Sequence, residues 1–254
     1  MEQSTSLTLT ETGKQFYQQS SKVLSDLADA EESVSDATKD LSGSLKITAP
    51  LSFSLNHLSH AIVDFLIEYP EIKFNLNLND SNINLVEEGV DMAVRIGHLE
   101  NSTLVARRLG TINIISCASQ SYIQKYGLPK KPDELNQHLG LQYTHLNYKQ
   151  QWQYLTPEGK IIYGQPKIKF QANNGEALAT AAIAGLGITT APTFILAKYI
   201  KENKLIRVLE NYPSPAVGLY AVYPPGRLIP KRIRVFSDFL KNYFGDTPYW
   251  DNNL

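Results

Sequence analysis

The sequence predicts an α/β fold in which a mostly parallel sheet alternates with helices. Up to residue 118, short apolar runs alternate with helical patterns, which is the rhythm of βαβ units. Residues 170–192, FQANNGEALATAAIAGLGITTAP, continue as an extended segment, a polar turn, a helix, a glycine corner and a buried strand. In open α/β sheets, ligands bind at the carboxyl ends of strands and near helix N-termini, so this stretch is a candidate site. An ordinary strand–helix–strand unit without a ligand is the equal alternative.

Length and composition limit the class of protein. At 254 residues the chain has room for one large domain or two modest ones. An apolar fraction of 43% with 19% charged residues excludes a disordered chain. The net charge of −1 gives no electrostatic reason to expect nucleic-acid binding. The start lacks a secretory signal and no apolar run reaches membrane-spanning length, so we expect a soluble, cytoplasmic protein without a membrane segment.

A long helix is predicted before the first strand, over residues 10–42. Its apolar and small residues recur at alternating spacings of four and three, as in a heptad stripe. They are Phe16, Ser20, Val23, Leu27, Ala30, Val34, Ala37 and Leu41. Such a narrow stripe predicts pairing with the same helix of a second chain through Phe16, Val23, Leu27 and Val34. The alternative is that the helix packs on its own globular body.

The remaining elements follow from apolar periodicity and turn residues. Predicted strands cover residues 45–49, 72–78, 91–96, 104–110, 112–118, 139–143, 188–191, 205–208 and 217–223, with a hairpin at 151–155 and 160–163. Predicted helices cover residues 58–69, 83–88, 121–126, 177–184, 194–202 and 231–244. Ser52 and Ser54 are candidate caps of the first of these helices, and Asn173 with Glu176 has the spacing of a capping box.

Catalytic and metal-binding patterns are missing from the sequence. There is no G-x-S-x-G, S-x-x-K, H-E-x-x-H or phosphate-loop pattern, so we expect no enzyme and no cofactor. His57 and His60 share one helical turn without a third ligand, and the single cysteine, Cys117, is predicted to be a core thiol. A basic cluster is predicted to be a solvated helix start, and it comprises Arg227, Lys231, Arg232 and Arg234.

Arg95 is the polar residue that most requires an explanation. It lies near the carboxyl end of a buried apolar strand, where a guanidinium needs a carboxylate, a carbonyl or a ligand. An ion pair with Glu87, Glu88 or Glu100 and a ligand contact are equal alternatives.

Several motifs, in the right order, resemble the LysR-type transcriptional regulators. Residues 85–97, LVEEGVDMAVRIG, resemble the segment that ends the third strand of the family's effector domain, and LVARRLG at 104–110 resembles its next segment. CASQSY at 117–122 resembles the crossover into the second half-domain. NNGEA, AGLGI and YPPG resemble the CrgA-like subgroup, and LTETG at 9–13 resembles the end of a winged helix-turn-helix with the start of the linker helix.

The resemblance implies a domain organisation. Residues 1–9 would be the remnant of a winged helix-turn-helix, and residues 10–42 a linker and dimerisation helix. Two Rossmann-like half-domains of the type II periplasmic-binding-protein kind would follow. The first takes residues 43–116 with 216–254, and the second takes residues 117–215.

The resemblance also implies a function, which is sensing of a small, anionic metabolite in the cleft between the half-domains. The expected effector-binding residues are Ser52, Phe53, Ser54, Arg95, Ile96, Asn173 and Asn174. The expected partners are the effector, further copies of the chain in a dimer or tetramer, and DNA only through a winged helix-turn-helix that these residues lack. The alternative, a solute-binding protein of a transporter, lacks a signal peptide and leaves the heptad helix unexplained.

Overall fold

Two five-stranded sheets organise the protein. The computed structural model describes residues 10–13, 16, 17, 19, 20, 23, 27, 41–81, 84–98, 105–144, 151–225, 229–245 and 247–252. Its strands are β1 (Gly43–Ala49), β2 (Ile72–Leu78), β3 (Met92–Gly97), β4 (Val105–Ile112), β5 (Ile114–Ala118), β6 (Leu139–Tyr143), β7 (Trp152–Leu155), β8 (Ile161–Gly164), β9 (Lys167–Ala172), β10 (Ile188–Pro192), β11 (Ile206–Val208) and β12 (Val217–Tyr223).

Helices connect and cover these sheets. Helix α1 is a continuous helical segment made of Leu51–Phe53, a π turn at Ser54–Leu58, and Ser59–Glu68. The later helices are α2 (Gln120–Tyr126), α3 (Gly175–Ile183), α4 (Thr193–Lys201) and α5 (Lys231–Phe244), with short 3-10 turns at Pro132–Gln137 and Tyr249–Asp251. The described residues of the N-terminal segment from Glu11 to Leu27 are helical as well.

The first sheet has the order β2-β1-β3-β12-β4, and the second has the order β11-β5-β10-β6-β9. β1 is parallel to β2 and β3, whereas β12 runs antiparallel to β3 and β4. The chain leaves the first sheet between β4 and β5, at Asn113, and returns between β11 and β12. Strand β5 (Ile114–Ala118) pairs with β10 and β11 and so belongs to the second sheet, close to the predicted boundary after residue 116.

Most predicted elements are found with small shifts at their ends, and β12 and α5 have the predicted bounds. Helix α3 ends as its sequence predicts. Gly185 has a φ of 78°, and the N–H groups of Gly185 and Leu186 donate to the carbonyls of Ala182 and Ala181. This is the Schellman arrangement, in which a left-handed residue closes the helix. At Gly187, a Cβ would lie 2.7 Å from the Leu139 carbonyl oxygen, so only glycine allows this close approach.

Three sequence expectations are wrong. The helix predicted at 83–88 is a series of turns over the described residues 85–89. Ser52 and Ser54 do not cap α1, because the helix begins at Leu51 after Pro50 and both serines lie inside it, buried. Arg232 is not part of a solvated cluster, since it is 5% exposed and its Nε–H donates to the Ser44 carbonyl at 3.1 Å.

An aromatic cluster joins the two halves of the molecule. The fully buried ring of Phe53 on α1 lies 5.3 Å from Phe194 on α4, 5.4 Å from Phe244 on α5 and 5.6 Å from Trp250 near the chain end. Edge-on contacts at such distances stabilise beyond simple burial, by roughly 0.5–1.5 kcal/mol for each pair. The first turn of α1 is therefore fixed against the second half by its apolar side.

His57 occupies the same cluster. Its ring centroid is 4.7 Å from that of Trp250, and its Nδ1 shares a 2.7 Å hydrogen bond with the Tyr249 hydroxyl. Nε2 is buried without a hydrogen-bond partner among the described residues. Burial, with a smaller effect of the charge of His60, lowers the pKa of His57 to about 4. The imidazole is therefore neutral at physiological pH.

The neutral His57 predicts a pH-dependent stability. The folded-state pKa of about 4 is below the ordinary value of 6.5, so the unfolded chain binds the proton more tightly. The stabilisation is complete above pH 6.5 and is lost as pH falls towards 4, by up to about 3 kcal/mol. His57→Leu should flatten the free energy of unfolding over this range, measured by urea titration, whereas the control His60→Gln should keep most of the slope. An unchanged slope in His57→Leu would contradict the assignment.

Candidate functional site

The two halves meet through polar contacts at the carboxyl ends of their strands. The Asn174 side chain, which follows β9, donates from Nδ2 to the Ser52 Oγ at 3.3 Å. Asn56 on α1 donates from Nδ2 to the Glu176 Oε1 on α3 at 3.2 Å. We call these two contacts the polar bridge. They place the beginnings of α1 and α3 side by side, at the sheet edge where α/β proteins bind ligands.

The beginning of α3 is built by Asn174. Its backbone is extended, with φ of −139° and ψ of 127°, and its Oδ1 accepts the N–H groups of Glu176 and Ala177 at 2.9 and 3.3 Å. The predicted capping box of Asn173 with Glu176 is therefore wrong by one residue. Gly175 is the first helical residue, so the residue before it, Asn174, is the cap. Asn173 lies one residue further from the helix, and its side chain is exposed.

The Glu176 carboxylate crosses to other elements instead of closing a capping box. Besides Asn56, it accepts a hydrogen bond from the Tyr199 hydroxyl at 3.0 Å and pairs with Lys198 at 3.2 Å, both on α4. Its charge is thus balanced, and the carboxylate joins α1, α3 and α4. The aromatic cluster also contains residues of α1 and α4, so the polar bridge and the aromatic cluster lie next to each other.

Arg95, near the carboxyl end of β3, has a carbonyl partner. Its Nη1 donates to the Asn79 carbonyl at 3.2 Å, and its Nη2 is buried without a hydrogen-bond partner among the described residues. Burial lowers the pKa of Arg95, and the charge of Asp80 acts in the opposite direction. The predicted ion pair with Glu87 or Glu88 is not formed, since both glutamates are exposed and their described contacts do not include Arg95. Glu100 lies outside the described residues.

Asp80 is a site residue that the sequence did not reveal. Its Oδ1 accepts the Leu51 N–H at 3.0 Å, at the beginning of α1. Its charge also acts on Tyr143 at the end of β6, whose pKa burial raises to about 12 with a further contribution from Asp80. Asp80 therefore lies close to groups from both halves. The one available signal was its place directly after the predicted strand 72–78, at a sheet edge where loops carry function.

The other predicted cleft residues are not all on the cleft surface. Phe53 and Ser54 are fully buried, and Phe53 belongs to the aromatic cluster. Ile96 is half-buried and packs against the main core. The structure thus brings Ser52 and Asn174 into contact and places Arg95 at the end of β3, whereas Phe53 and Ser54 support α1 from the core because a helix turns consecutive side chains to different sides.

Other chemistry finds no candidate within the described residues. Three or more histidine, cysteine, aspartate or glutamate side chains do not cluster there as metal ligands would. Cys117 is fully buried on β5, and burial raises the pKa of its thiol to about 12, as expected for a core thiol. None of the helices in this part of the chain is long and apolar enough to span a bilayer.

Comparison with known proteins identifies the family. Residues 38–245 match the LysR substrate binding domain, so the chain belongs to this family. An HTH-type transcriptional regulator of Haemophilus influenzae is 34% identical over 90% of this chain and 79% of its own length. The transcriptional activator AaeR of Escherichia coli is 30% identical over 94% of this chain and 77% of its length. The regulator CrgA of Neisseria meningitidis is 32% identical over 94% and 80%.

Solved structures agree with this assignment. The full-length virulence activator AphB of Vibrio cholerae superposes with a TM-score of 0.70 at 29% identity, covering 96% of this chain and 83% of AphB. The CrgA regulatory domain of Neisseria meningitidis gives a TM-score of 0.69 at 32% identity, covering 81% of this chain and all of that domain. The predicted two-part, periplasmic-binding-protein-like α/β fold is confirmed, and the chain carries the effector-binding domain of a LysR-type transcriptional regulator.

The cap of α3 gives a direct test with a matched neighbour. Asn174→Ala removes the acceptor of two helix N–H groups and one contact of the polar bridge, so it should lower the free energy of unfolding by about 1 kcal/mol or more. Asn173→Ala changes an exposed side chain next to it and should stay within about 0.5 kcal/mol of the wild type. Equal effects of the two substitutions in urea titrations would contradict the assignment of Asn174 as the cap.

Proposed function

We propose that this chain senses a small, anionic metabolite between its two halves and transmits the binding event through a dimer to DNA-binding modules. The observation that carries this proposal is the polar bridge, which lies at the carboxyl ends of β1 and β9. Arg95, half-buried near the carboxyl end of the neighbouring strand β3, has a buried Nη2 without a hydrogen-bond partner among the described residues. Concave sites between half-domains, with few convergent polar groups, are where such folds bind ligands.

The polar bridge suits a site that opens and closes. The Ser52–Asn174 contact joins two uncharged side chains at 3.3 Å, so either partner can exchange the other for a ligand at small cost. A ligand that contacts both halves would favour the arrangement in which its contacts are best, and would shift the population towards it. This difference in contacts is what an effector needs in order to change a regulator.

The anionic character of the effector is proposed from Arg95. A half-buried guanidinium whose Nη2 has no partner among the described residues favours a carboxylate or a similar group, because a charge-assisted hydrogen bond is about twice as strong as a neutral one. Ser52, Ile96 and Asn174 would contribute the neighbouring contacts. Phe53 and Ser54 would hold α1 in place, and Asn173 would line the edge of the cleft.

The class of activity is proposed from the relatives. AaeR is a transcriptional activator and CrgA a transcriptional regulator, which supports a cytoplasmic regulator rather than an enzyme, and a protein that uses no cofactor. DNA would be bound through a winged helix-turn-helix, as the HTH-type names of these relatives imply for them. The solute-binding protein of a transporter, which has the same general fold, finds no support in these relatives.

A ligand screen tests the sensing function. We expect at least one small anionic metabolite to raise the melting temperature of the 254-residue chain saturably, since a ligand at a hundred times its Kd adds about 2.7 kcal/mol. Arg95→Ala should weaken that ligand at least about tenfold, as loss of a charge-assisted contact implies. Lys125→Ala, at an exposed position on α2, should not. Affinity unchanged in Arg95→Ala, or no saturable ligand at all, would contradict the proposal.

Assembly is proposed to occur through the N-terminal helix. Phe16, Val23 and Leu27 are 72%, 66% and 57% exposed in the single chain, although all three belong to the predicted apolar stripe. Val34 lies outside the described residues. Large apolar side chains in a regular stripe are typical of a surface that a partner helix covers. A second copy of the same helix would cover it in a parallel or antiparallel pair.

Charge reversal in the stripe tests the assembly. Val23→Glu with Leu27→Glu would place carboxylates in the seam, and an unpaired buried charge costs several kcal/mol, so the dimer should dissociate. Gln18→Glu adds one such charge off the stripe and should leave the dimer intact. Sedimentation velocity distinguishes the species, and a dimer that persists in the double variant would place the contact on another surface.

A further inference from the structure

In the candidate cleft, a carboxylate of the protein, that of Asp80, already lies at the start of α1, where an anionic ligand would be expected. The carboxylate of Asp80 accepts the Leu51 N–H at 3.0 Å, and its charge acts on both Arg95 and Tyr143. Leu51 and Arg95 belong to the half that contains the first sheet, whereas Tyr143 ends β6 of the second sheet. Asp80 therefore brings a negative charge to the start of α1, next to Asn79, whose carbonyl accepts a hydrogen bond from Arg95.

The first N–H groups of α3 are likewise bound by a side chain of the protein. The Oδ1 of Asn174 accepts two N–H groups there, so both helix starts on the cleft carry acceptors from the protein's own side chains. Asp80 brings a negative charge to the start of α1, whereas the charge of Glu176 in the first turn of α3 is paired with Lys198. A carboxylate that approaches Arg95 would meet this like charge at short range, where repulsion is strongest.

We propose that Asp80 is an internal anion which the carboxylate of the effector displaces, and that it thereby determines which ligands the cleft accepts. The incoming carboxylate accepts hydrogen bonds from the Leu51 N–H and from the Nη2 of Arg95, which has no partner within the described part of the chain, while the Asp80 side chain turns towards solvent. This inference rests on the sensing function proposed above. It adds an exchange of one carboxylate for another, in which no bond is made or broken and no proton is transferred.

The exchange gives the cleft a preference for ligands that can replace a full charge. A neutral amide or alcohol brings no charge that could replace the charge of Asp80, so it leaves the internal anion in place. A carboxylate with further contacts to Ser52 and Asn174 outcompetes Asp80. Displacement also removes the hydrogen bond between Asp80 and the start of α1, which links occupancy of the cleft to the half that holds both elements.

Asp80→Asn separates this role from a structural one. The asparagine oxygen still accepts the Leu51 N–H, but the competing charge is gone. Asp91→Asn is the matched control, because Asp91 also accepts a backbone N–H, that of Lys46 at 2.8 Å, and lies at the start of β3, away from the cleft. Asp80→Ser retains a short acceptor and serves as a second variant if Asp80→Asn folds poorly.

The experiment is calorimetric titration of the 254-residue chain and its variants with acetate, benzoate and succinate, each compared with its amide. We expect at least one carboxylate to bind Asp80→Asn about tenfold more tightly than wild type, which corresponds to about 1.4 kcal/mol. The amides and Asp91→Asn should show no such gain, and a purely structural role of Asp80 would not produce this selectivity.

Three results would overturn the inference. They are carboxylate affinity that is unchanged or weaker in Asp80→Asn, an equal gain for the amides, and no carboxylate binding to Asp80→Asn at millimolar concentration. The proposed sensing function is tested separately, by the metabolite screen described above. A metabolite from the screen that depends on Arg95 but not on Asp80 would leave sensing intact and remove only the internal anion.

Discussion

The contact of α1 with the second half is the interaction on which the rest of this structure depends. One turn of α1 carries Phe53, which packs against Phe194, and Ser52, which bonds to Asn174. The apolar and polar contacts of the two halves are thus made by adjacent residues. A change in the polar bridge must therefore alter or strain the aromatic packing behind it, because packed interiors respond to small shifts. This coupling is a physical route from an occupied cleft to the relative position of the two sheets.

Electrostatic balance is the second feature of the cleft. Glu176 is matched by Lys198, and the charges of Asp80 and Arg95 oppose each other. These four groups carry equal numbers of positive and negative charges, although the sequence indicated Arg95 and two helix starts as a site for an anion. A cleft in which Asp80 is an internal anion favours selective exchange over strong attraction of every small acid. Such selectivity suits a sensor, which must discriminate among abundant small anions.

The sequence predicts the frame of this fold better than its site. Strand β12 and helix α5 follow directly from apolar periodicity and flanking prolines, and Gly185 follows from helix-stop chemistry. The exact cap, Asn174 instead of Asn173, depends on backbone angles that spacing cannot specify. Asp80 and Tyr143 approach the site from strands far apart in the chain, so local patterns carry no trace of their proximity. The burial of Phe53 was likewise invisible, because its partners Phe244 and Trp250 lie near the end of the chain.

The central claim is that the two halves contact each other directly through the polar bridge. A double-mutant cycle of Asn56→Ala and Glu176→Ala, with the free energy of unfolding as readout, tests this claim most directly. The contact of Glu176 with Lys198 is lost in both arms that carry Glu176→Ala, so the cycle isolates the pair across the halves. The account predicts a coupling energy of at least about 0.5 kcal/mol. Additive effects within about 0.3 kcal/mol would contradict it.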